Sequence, residues 1–328
     1  MKKVLRGLVA ASLFASPSLM AYERDEDLVE AWINEVSTTH GIDATYLRDL
    51  MDEAKYQQSI IDAISRPAER VLTWSEYRNI FIEQARIDGG VEFIERNLDT
   101  LKRIEAETGV SAEYIVAIIG VETRYGRIMG NYRVIDALST LGFSYPRRSS
   151  FFKKELTEFV LMIEETGLDP LSLKGSYAGA MGLGQFIPSS YRAYSKDDTG
   201  DGVADLWTSE QDAIASVANY FKRHGWKAGE PVLVSLTAPE NAEEYPRSPL
   251  ALDRTMAEVE AMGYRPDAVL AADTKARIFF FADNPGGEYV AGLQNFYTIT
   301  RYNHSSYYAL AVHQLAENLR EQSVLSAQ

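Results

Sequence analysis

Apolar residues recur at helical spacing along most of this chain. Early on, Leu28, Ile33 and Val36 form one series, and Tyr46, Leu47 and Leu50 another, with charged residues between them. That pattern predicts helices over 22–100, an accessory helical domain. Thr73-Trp74-Ser75-Glu76-Tyr77 opens a further helix, and on periodicity alone its aromatics read as core. A more apolar helix is predicted from Ser111 to Arg124, with Ser111 as N-cap and Gly126 as stop. Others are predicted from Ser150 to Thr166 and through Ser216–Phe221, the latter ending near Gly225 and Trp226. At Glu230 the texture changes. Val232, Val234 and Leu236 alternate, Ala276–Phe281 reads as a strand, and prolines at 231, 239, 246 and 249 mark loops. Helical spacing returns in Phe296–Asn303 and Ser305–Glu321. The expected fold class is α+β, mainly α. Helical parts cover 22–100 and 101–229, a small inserted β domain covers 230–287, and a C-terminal helical part covers 288–328.

Composition narrows the setting. The chain has 328 residues, a formal charge of −14 and no cysteine. Its length allows two or three domains and a sizeable core. Disulfides, thiolate metal sites and cysteine nucleophiles are excluded. Lys2, Lys3 and Arg6 precede a short apolar stretch, Leu8–Phe14, and small residues follow at Ala15, Ser16, Ser18 and Ala21. This is the pattern of a secretory signal peptide, expected to span 1–21, with Ser18 as the alternative cleavage point. No later segment reads as a membrane span, and no lipid anchor is expected where no cysteine can carry it. The acidic balance argues against a nucleic-acid partner.

The candidate chemistry centres on Glu122. It shares a helical face with Ile115, Ile118 and Ile119. Apolar neighbours and the negative end of the helix dipole both disfavour its charged form, so a raised pKa is expected. A carboxyl protonated near neutral pH is a general acid. The competing reading is a glutamate that turns to solvent or pairs with Arg124 or Arg127. Ser150 and Lys153 form a Ser-x-x-Lys match, but the companion β-lactamase motifs are missing and chance explains it.

Gly175–Phe186 interleaves four glycines with small residues, which lets backbone approach a ligand or another segment closely. It lacks the Gly-Lys-Ser/Thr ending of a phosphate loop. Gln185, polar in a small and apolar stretch, is a candidate donor to a ligand. Asp197-Asp198-Thr199-Gly200-Asp201-Gly202-Val203 starts like an EF-hand loop, with side-chain oxygens from Asp197, Thr199 and Asp201 and the carbonyl of Val203. Thr208 stands where the closing glutamate belongs, so Asp212 is the expected last ligand of a longer loop. Calcium is the favoured ion, and sodium or an empty turn the alternatives. The aromatics Phe296, Tyr297, Tyr302, Tyr307 and Tyr308 suit either core or a sugar-stacking surface.

Taken together, these motifs resemble the B-type lytic murein transglycosylases, glycoside hydrolase family 103. The matching stretches, in order, are Gly120–Gly126, Asp136–Leu141, Tyr145–Arg148, Gly175–Pro188, Asp197–Trp207, Ser216–Tyr220 and Asn295–Asn303. The resemblance implies a lysozyme-like core with an accessory helical domain and a small β domain. It implies cleavage of the β-1,4 bond between N-acetylmuramic acid and N-acetylglucosamine in peptidoglycan, leaving 1,6-anhydromuramic ends without consuming water. Glu122 is then acid and base in turn. Ser176 and Gln185 contact the sugar near its N-acetyl group. Tyr77, Tyr220, Tyr302, Asn303 and Tyr308 line the cleft, with Tyr302 and Asn303 helping to hold Glu122 or the substrate. The calcium loop carries over through Asp197, Thr199, Asp201, Val203 and Asp212, with one extra residue before Asp212. No catalytic cofactor is implied. The expected partners are peptidoglycan glycan strands and other cell-wall enzymes, and the expected state is a periplasmic monomer. Two rivals remain: a water-adding muramidase with Asp136 as second carboxylate, and a non-catalytic wall-binding protein.

Overall fold

The computed structural model describes residues 25–65, 72–283 and 286–327, so the expected signal peptide lies outside the described residues. Helix α1 (Glu26–His40) is capped by Asp25 and stopped by Gly41 in the left-handed region; it buries Val29, Trp32, Ile33 and Val36. Helices α2 (Ala44–Glu53) and α3 (Gln58–Ser65) follow. Helix α4 (Trp74–Phe81) begins with a reciprocal capping box between Thr73 and Glu76. Helices α5 (Gln84–Arg96) and α6 (Leu98–Thr108) lead to Gly109, which ends α6 in the left-handed region.

Helix α7 (Ala112–Thr123) is the centre of the molecule. Every residue from Ala112 to Val121 is buried, as expected of a helix that is apolar on all sides. Ser111 does stand at its N-cap, but without a side-chain bond; Glu105 accepts the Ala112 N–H instead, at 3.2 Å. The helix stops at Arg124, earlier than the glycine signal at Gly126 implied. Around it stand α8 (Val134–Ser144), α9 (Ser149–Thr166), α10 (Pro188–Tyr194) and α11 (Glu210–Arg223). Two short strands, β1 (Tyr132–Arg133) and β2 (Lys174–Gly175), pair antiparallel between them.

A second sheet contains β3 (Leu233–Thr237), β4 (Arg254–Thr255), β5 (Arg265–Pro266), β6 (Lys275–Ala282) and β7 (Gly287–Gly292), in the order β4-β6-β7-β3-β5. Helix α12 (Met256–Ala261) follows β4. The sheet runs on to Gly292, past the boundary at 287 that the sequence suggested, because β7 is the long antiparallel partner of β6. Strand β6 is buried on both faces, in keeping with its period of two. Ala276 and Ile278 join a small cluster with Val234, Met256, Val259 and Tyr264, while Phe279 and Phe281 join the main core. Helices α13 (Gln294–Tyr302) and α14 (Ser306–Gln322) return the chain to that core. One continuous apolar cluster links α1–α6 to α7–α11 and α14, so the first helices share the central core rather than enclosing their own.

Candidate active site

Glu122 lies in the last turn of α7, half-buried, on the side of the fully buried Ile115, Ile118 and Ile119. Neither arginine of the competing reading pairs with it. Arg124 binds Glu83 at 2.6 Å and Arg127 approaches Glu92 at 3.7 Å. The partner of Glu122 is Tyr308 of α14, whose hydroxyl donates to Oε1 at 2.6 Å. Burial pushes the Glu122 carboxyl up to about 7, and the Tyr308 hydrogen bond partly opposes that rise. No neighbouring carboxylate contributes to the shift. Asp136, the other candidate acid, is buried at the start of α8. It accepts from the Arg133 guanidinium and from the Lys55 N–H, at 2.7 and 2.8 Å. It ties α2 to α8 and is spent on structure.

The other expected site residues fall into two groups. Tyr77 and Tyr308 gather at Glu122. Tyr77 is half-buried, packs against Trp74, Phe81 and Tyr307, and is pushed up to about 12 by burial and by the Glu122 charge. It is therefore core on one side and a neighbour of Glu122 on the other. Gln185, Tyr220, Tyr302 and Asn303, with Arg148 and Arg301, line a cavity of about 520 Å³. The two groups meet at Tyr302, whose ring is close enough to Glu122 for that charge to raise its pKa further, after burial.

The geometry narrows the expected roles of Tyr302, Asn303 and Gln185: neither Tyr302 nor Asn303 holds Glu122, which leaves them the substrate. The Tyr302 hydroxyl donates to the Gly184 carbonyl at 2.6 Å, so it braces the glycine-rich loop and leaves Glu122 to Tyr308. Asn303 is exposed and makes no side-chain bond to Glu122. Gln185 was expected to donate to a ligand, but its amide nitrogen is spent on the carbonyls of Met129 and Gly182, at 3.2 and 3.0 Å. Both partners are acceptors, which fixes the amide orientation and leaves its Oε1 as the group a ligand can use. Tyr220 donates to the Arg301 carbonyl at 2.6 Å, stacks on His224 and packs at a tilt against Tyr302, serving as a wall.

The loop that carries Ser176 and Gln185 is built by close approach. Ser176 Oγ accepts from the N–H groups of Ala178 and Ala180, at 3.3 and 3.1 Å, forming a tight turn. Gly182 has φ +68, and a side chain there would overlap the Leu206 carbonyl. Thr123 was not anticipated. Its hydroxyl lies 2.9 Å from the Leu183 carbonyl and accepts from Gly126 N–H at 3.0 Å, tying the end of the Glu122 helix to this loop. Its signals in the sequence were adjacency to Glu122 and a place in the Gly120–Gly126 stretch.

The acidic loop forms at 197–212. Asp197 accepts from the N–H groups of Gly200, Asp201 and Gly202 and from the Thr199 hydroxyl. Asp212 is completely buried and accepts from Asp198, Thr199 and Asp205 N–H groups. Asp212 therefore closes the loop, while Thr208 bonds locally to Asp205. The donor set is all oxygen, as calcium prefers. Among the described residues no three acidic or histidine side chains converge as a ligand cluster. The turn is thus held here by its own N–H groups, and an ion would draw on Asp197, Asp201 and the Val203 carbonyl.

A half-buried glutamate pushed up to about 7, bonded to one tyrosine and close to two more in a mainly helical body with a small sheet, fits a lysozyme-like lytic transglycosylase. The Transglycosylase SLT domain family matches residues 24–317, and the chain belongs to it. It is 42% identical to membrane-bound lytic murein transglycosylase B of Escherichia coli (strain K12), over 88% of this chain and 81% of that protein. The soluble lytic transglycosylase SltB1 from Pseudomonas aeruginosa superposes with a TM-score of 0.85 at 50% identity, covering 90% of this chain and 98% of that one. The Escherichia coli lytic transglycosylase Slt35 in complex with calcium gives 0.83 at 41% identity, covering 90% and 93%. The chain is a lytic transglycosylase acting on peptidoglycan.

Proposed function

We propose that Glu122 performs both proton transfers of the reaction. As an acid it protonates the oxygen that bridges N-acetylmuramic acid to N-acetylglucosamine, and the C1–O bond breaks. The acetamido oxygen of the muramic residue assists at C1. As a carboxylate Glu122 then takes the proton of the same sugar's 6-hydroxyl, and O6 closes on C1 to give the 1,6-anhydro ring. Atoms balance without water, and one carboxyl suffices where hydrolytic glycosidases use two. The observation that carries this reading is a carboxyl pushed up to about 7 by burial that accepts a hydrogen bond from a tyrosine hydroxyl. Such a group is about half protonated near neutral pH and can give and take a proton in one cycle.

Ser176 and the Gln185 oxygen are placed at the N-acetyl group, and Tyr77, Tyr220, Tyr302, Asn303 and Tyr308 along the glycan. The 197–212 loop takes calcium as a structural ion. The segment 1–21 directs export to the periplasm, and the mature monomer works on glycan strands there. Among the described residues no helix is long and apolar enough to cross a membrane.

The test is mass spectrometry of muropeptides released from purified peptidoglycan by the mature protein and by Glu122→Gln. Anhydro-muropeptides from the wild type and none from the variant are expected. Products heavier by one water would move the assignment to a hydrolase. For the ion, calcium should raise the melting temperature of the wild type, and Asp197→Ala should abolish that rise.

A further inference from the structure

Helix α7 ends in an unusual way one residue after Glu122. Arg124, Tyr125 and Gly126 all have positive φ, at 52°, 59° and 86°. Two of the three carry side chains, which are strained in the left-handed region. Strain of that kind persists only where the surroundings over-determine it.

The surroundings do so here. Tyr125 folds back under the helix it has just left and is 8% exposed. Its ring fills a socket whose walls are glycines. A Cβ on Gly120 of α7 would stand 2.5 Å from the Tyr125 hydroxyl, and one on Gly89 of α5 would stand 3.2 Å from its ring edge. A Cβ on Gly90 would overlap both that hydroxyl and Leu319 of α14. Among the described residues the buried hydroxyl has no hydrogen-bond partner, so the ring is held by shape. Arg124 is pinned from outside by Glu83 at 2.6 Å. The Tyr125 N–H reaches back to the Ile119 carbonyl at 3.4 Å, and the Ile128 N–H to the Thr123 carbonyl at 2.9 Å. Glu122 therefore sits in a final turn that no further turn covers, while α14 supplies both the socket wall at Leu319 and the Tyr308 hydroxyl.

We propose that Tyr125, seated among Gly89, Gly90 and Gly120, is a positioning residue that sets the end of α7 and so aims the Glu122 carboxyl at Tyr308 and the substrate. The inference rests on the role given to Glu122 above. The socket couples three helices at one point, and a shift of its occupant moves the reacting group without touching substrate. A displacement approaching 1 Å at a reacting group costs about 10²-fold in rate.

The experiment compares Tyr125→Ala, Tyr125→Phe and Gly89→Ala with the wild type on purified glycan strands. Each is read for kcat, KM, the pH profile and the product mass. Tyr125→Ala should lower kcat by about 10- to 100-fold with KM moved less than about twofold, and should shift the basic limb of the kcat profile. Tyr125→Phe keeps the ring and should restore wild-type kcat and profile. Gly89→Ala only crowds the ring edge, so it should fold normally and lose about threefold or more in kcat; it carries the test if Tyr125→Ala does not fold. Leu156→Ala, a buried truncation in α9, should lower stability with kcat unchanged, which separates aim from stability. Wild-type kcat and profile in folded Tyr125→Ala, or in Gly89→Ala where the alanine variant is unfolded, would overturn the proposal. A wild type that releases no anhydro-muropeptides would instead overturn the role of Glu122.

Discussion

At the scale of the residue, Glu122 concentrates the chemistry because two opposed effects meet on it. Burial raises its pKa to about 7 and the Tyr308 hydroxyl, by stabilising the carboxylate, restrains the rise. Removing that donor in Tyr308→Phe should move the basic limb of the kcat profile upward and cost about tenfold in kcat at neutral pH; steady-state kinetics across pH would show both. The same shift has a stability consequence. The folded carboxyl holds its proton up to about 7 against an ordinary value of 4.5, so the folded state binds more protons than the unfolded chain between these values. Stability attributable to this group is present below 4.5 and is lost as pH rises through 7. The gap corresponds to ~3 kcal/mol, or about 2 once solvent in the cleft is allowed for. Glu122→Gln should therefore be more stable than the wild type by roughly that amount above pH 7 and equal to it below pH 4.5, as urea titrations at both pH values would show.

At the scale of the element, one loop supports the helix that carries Glu122 and a second closes on the start of α11. The glycine-rich loop reaches α7 through Thr123 and Leu183, and Gly182 permits the approach to Leu206. Gly182→Ala combines a positive φ with overlap on a backbone carbonyl and should cost about 2–4 kcal/mol, read as a lowered denaturation midpoint. The acidic loop closes on the fully buried Asp212, which accepts from three part-buried N–H groups. Asp212→Ala should destabilise by about 2 kcal/mol even without calcium, because those donors lose their acceptor. Circular dichroism melts in a chelator would separate this loss from any ion effect.

At the scale of the whole molecule, the apolar interior is one large cluster and one small one, joined through the two-faced strand β6. Met256 is fully buried in the small cluster. Met256→Ala should open that cluster, with a local cost of about 2–4 kcal/mol. Hydrogen exchange should quicken at the amides of β3 and α12 while those of α7 keep their protection. Equal quickening in α7 would mean that the two clusters unfold as one.

The sequence by itself determined most of this. The apolar run before Glu122, the alternation after Glu230, the glycines of 175–184 and the aspartates of 197–212 each point to their element because the signal is local: a period, a glycine, a spacing. The two-carboxylate alternative stayed open there and fell only when the fold tied Asp136 to Arg133 and the Lys55 N–H. What required the tertiary structure was every pairing between distant segments. Tyr308, far along the chain from Glu122, proved to be its partner, while Tyr302 turned to Gly184; both are tyrosines on the returning helices, and only packing decides which hydroxyl reaches the carboxyl. The direction in which Gln185 spends its amide, the burial of Asp212 and the seat of Tyr125 among glycines from two helices have the same origin. A side chain's partner is set by which surfaces the folded chain brings within hydrogen-bonding or van der Waals distance, and that information is spread over the whole core.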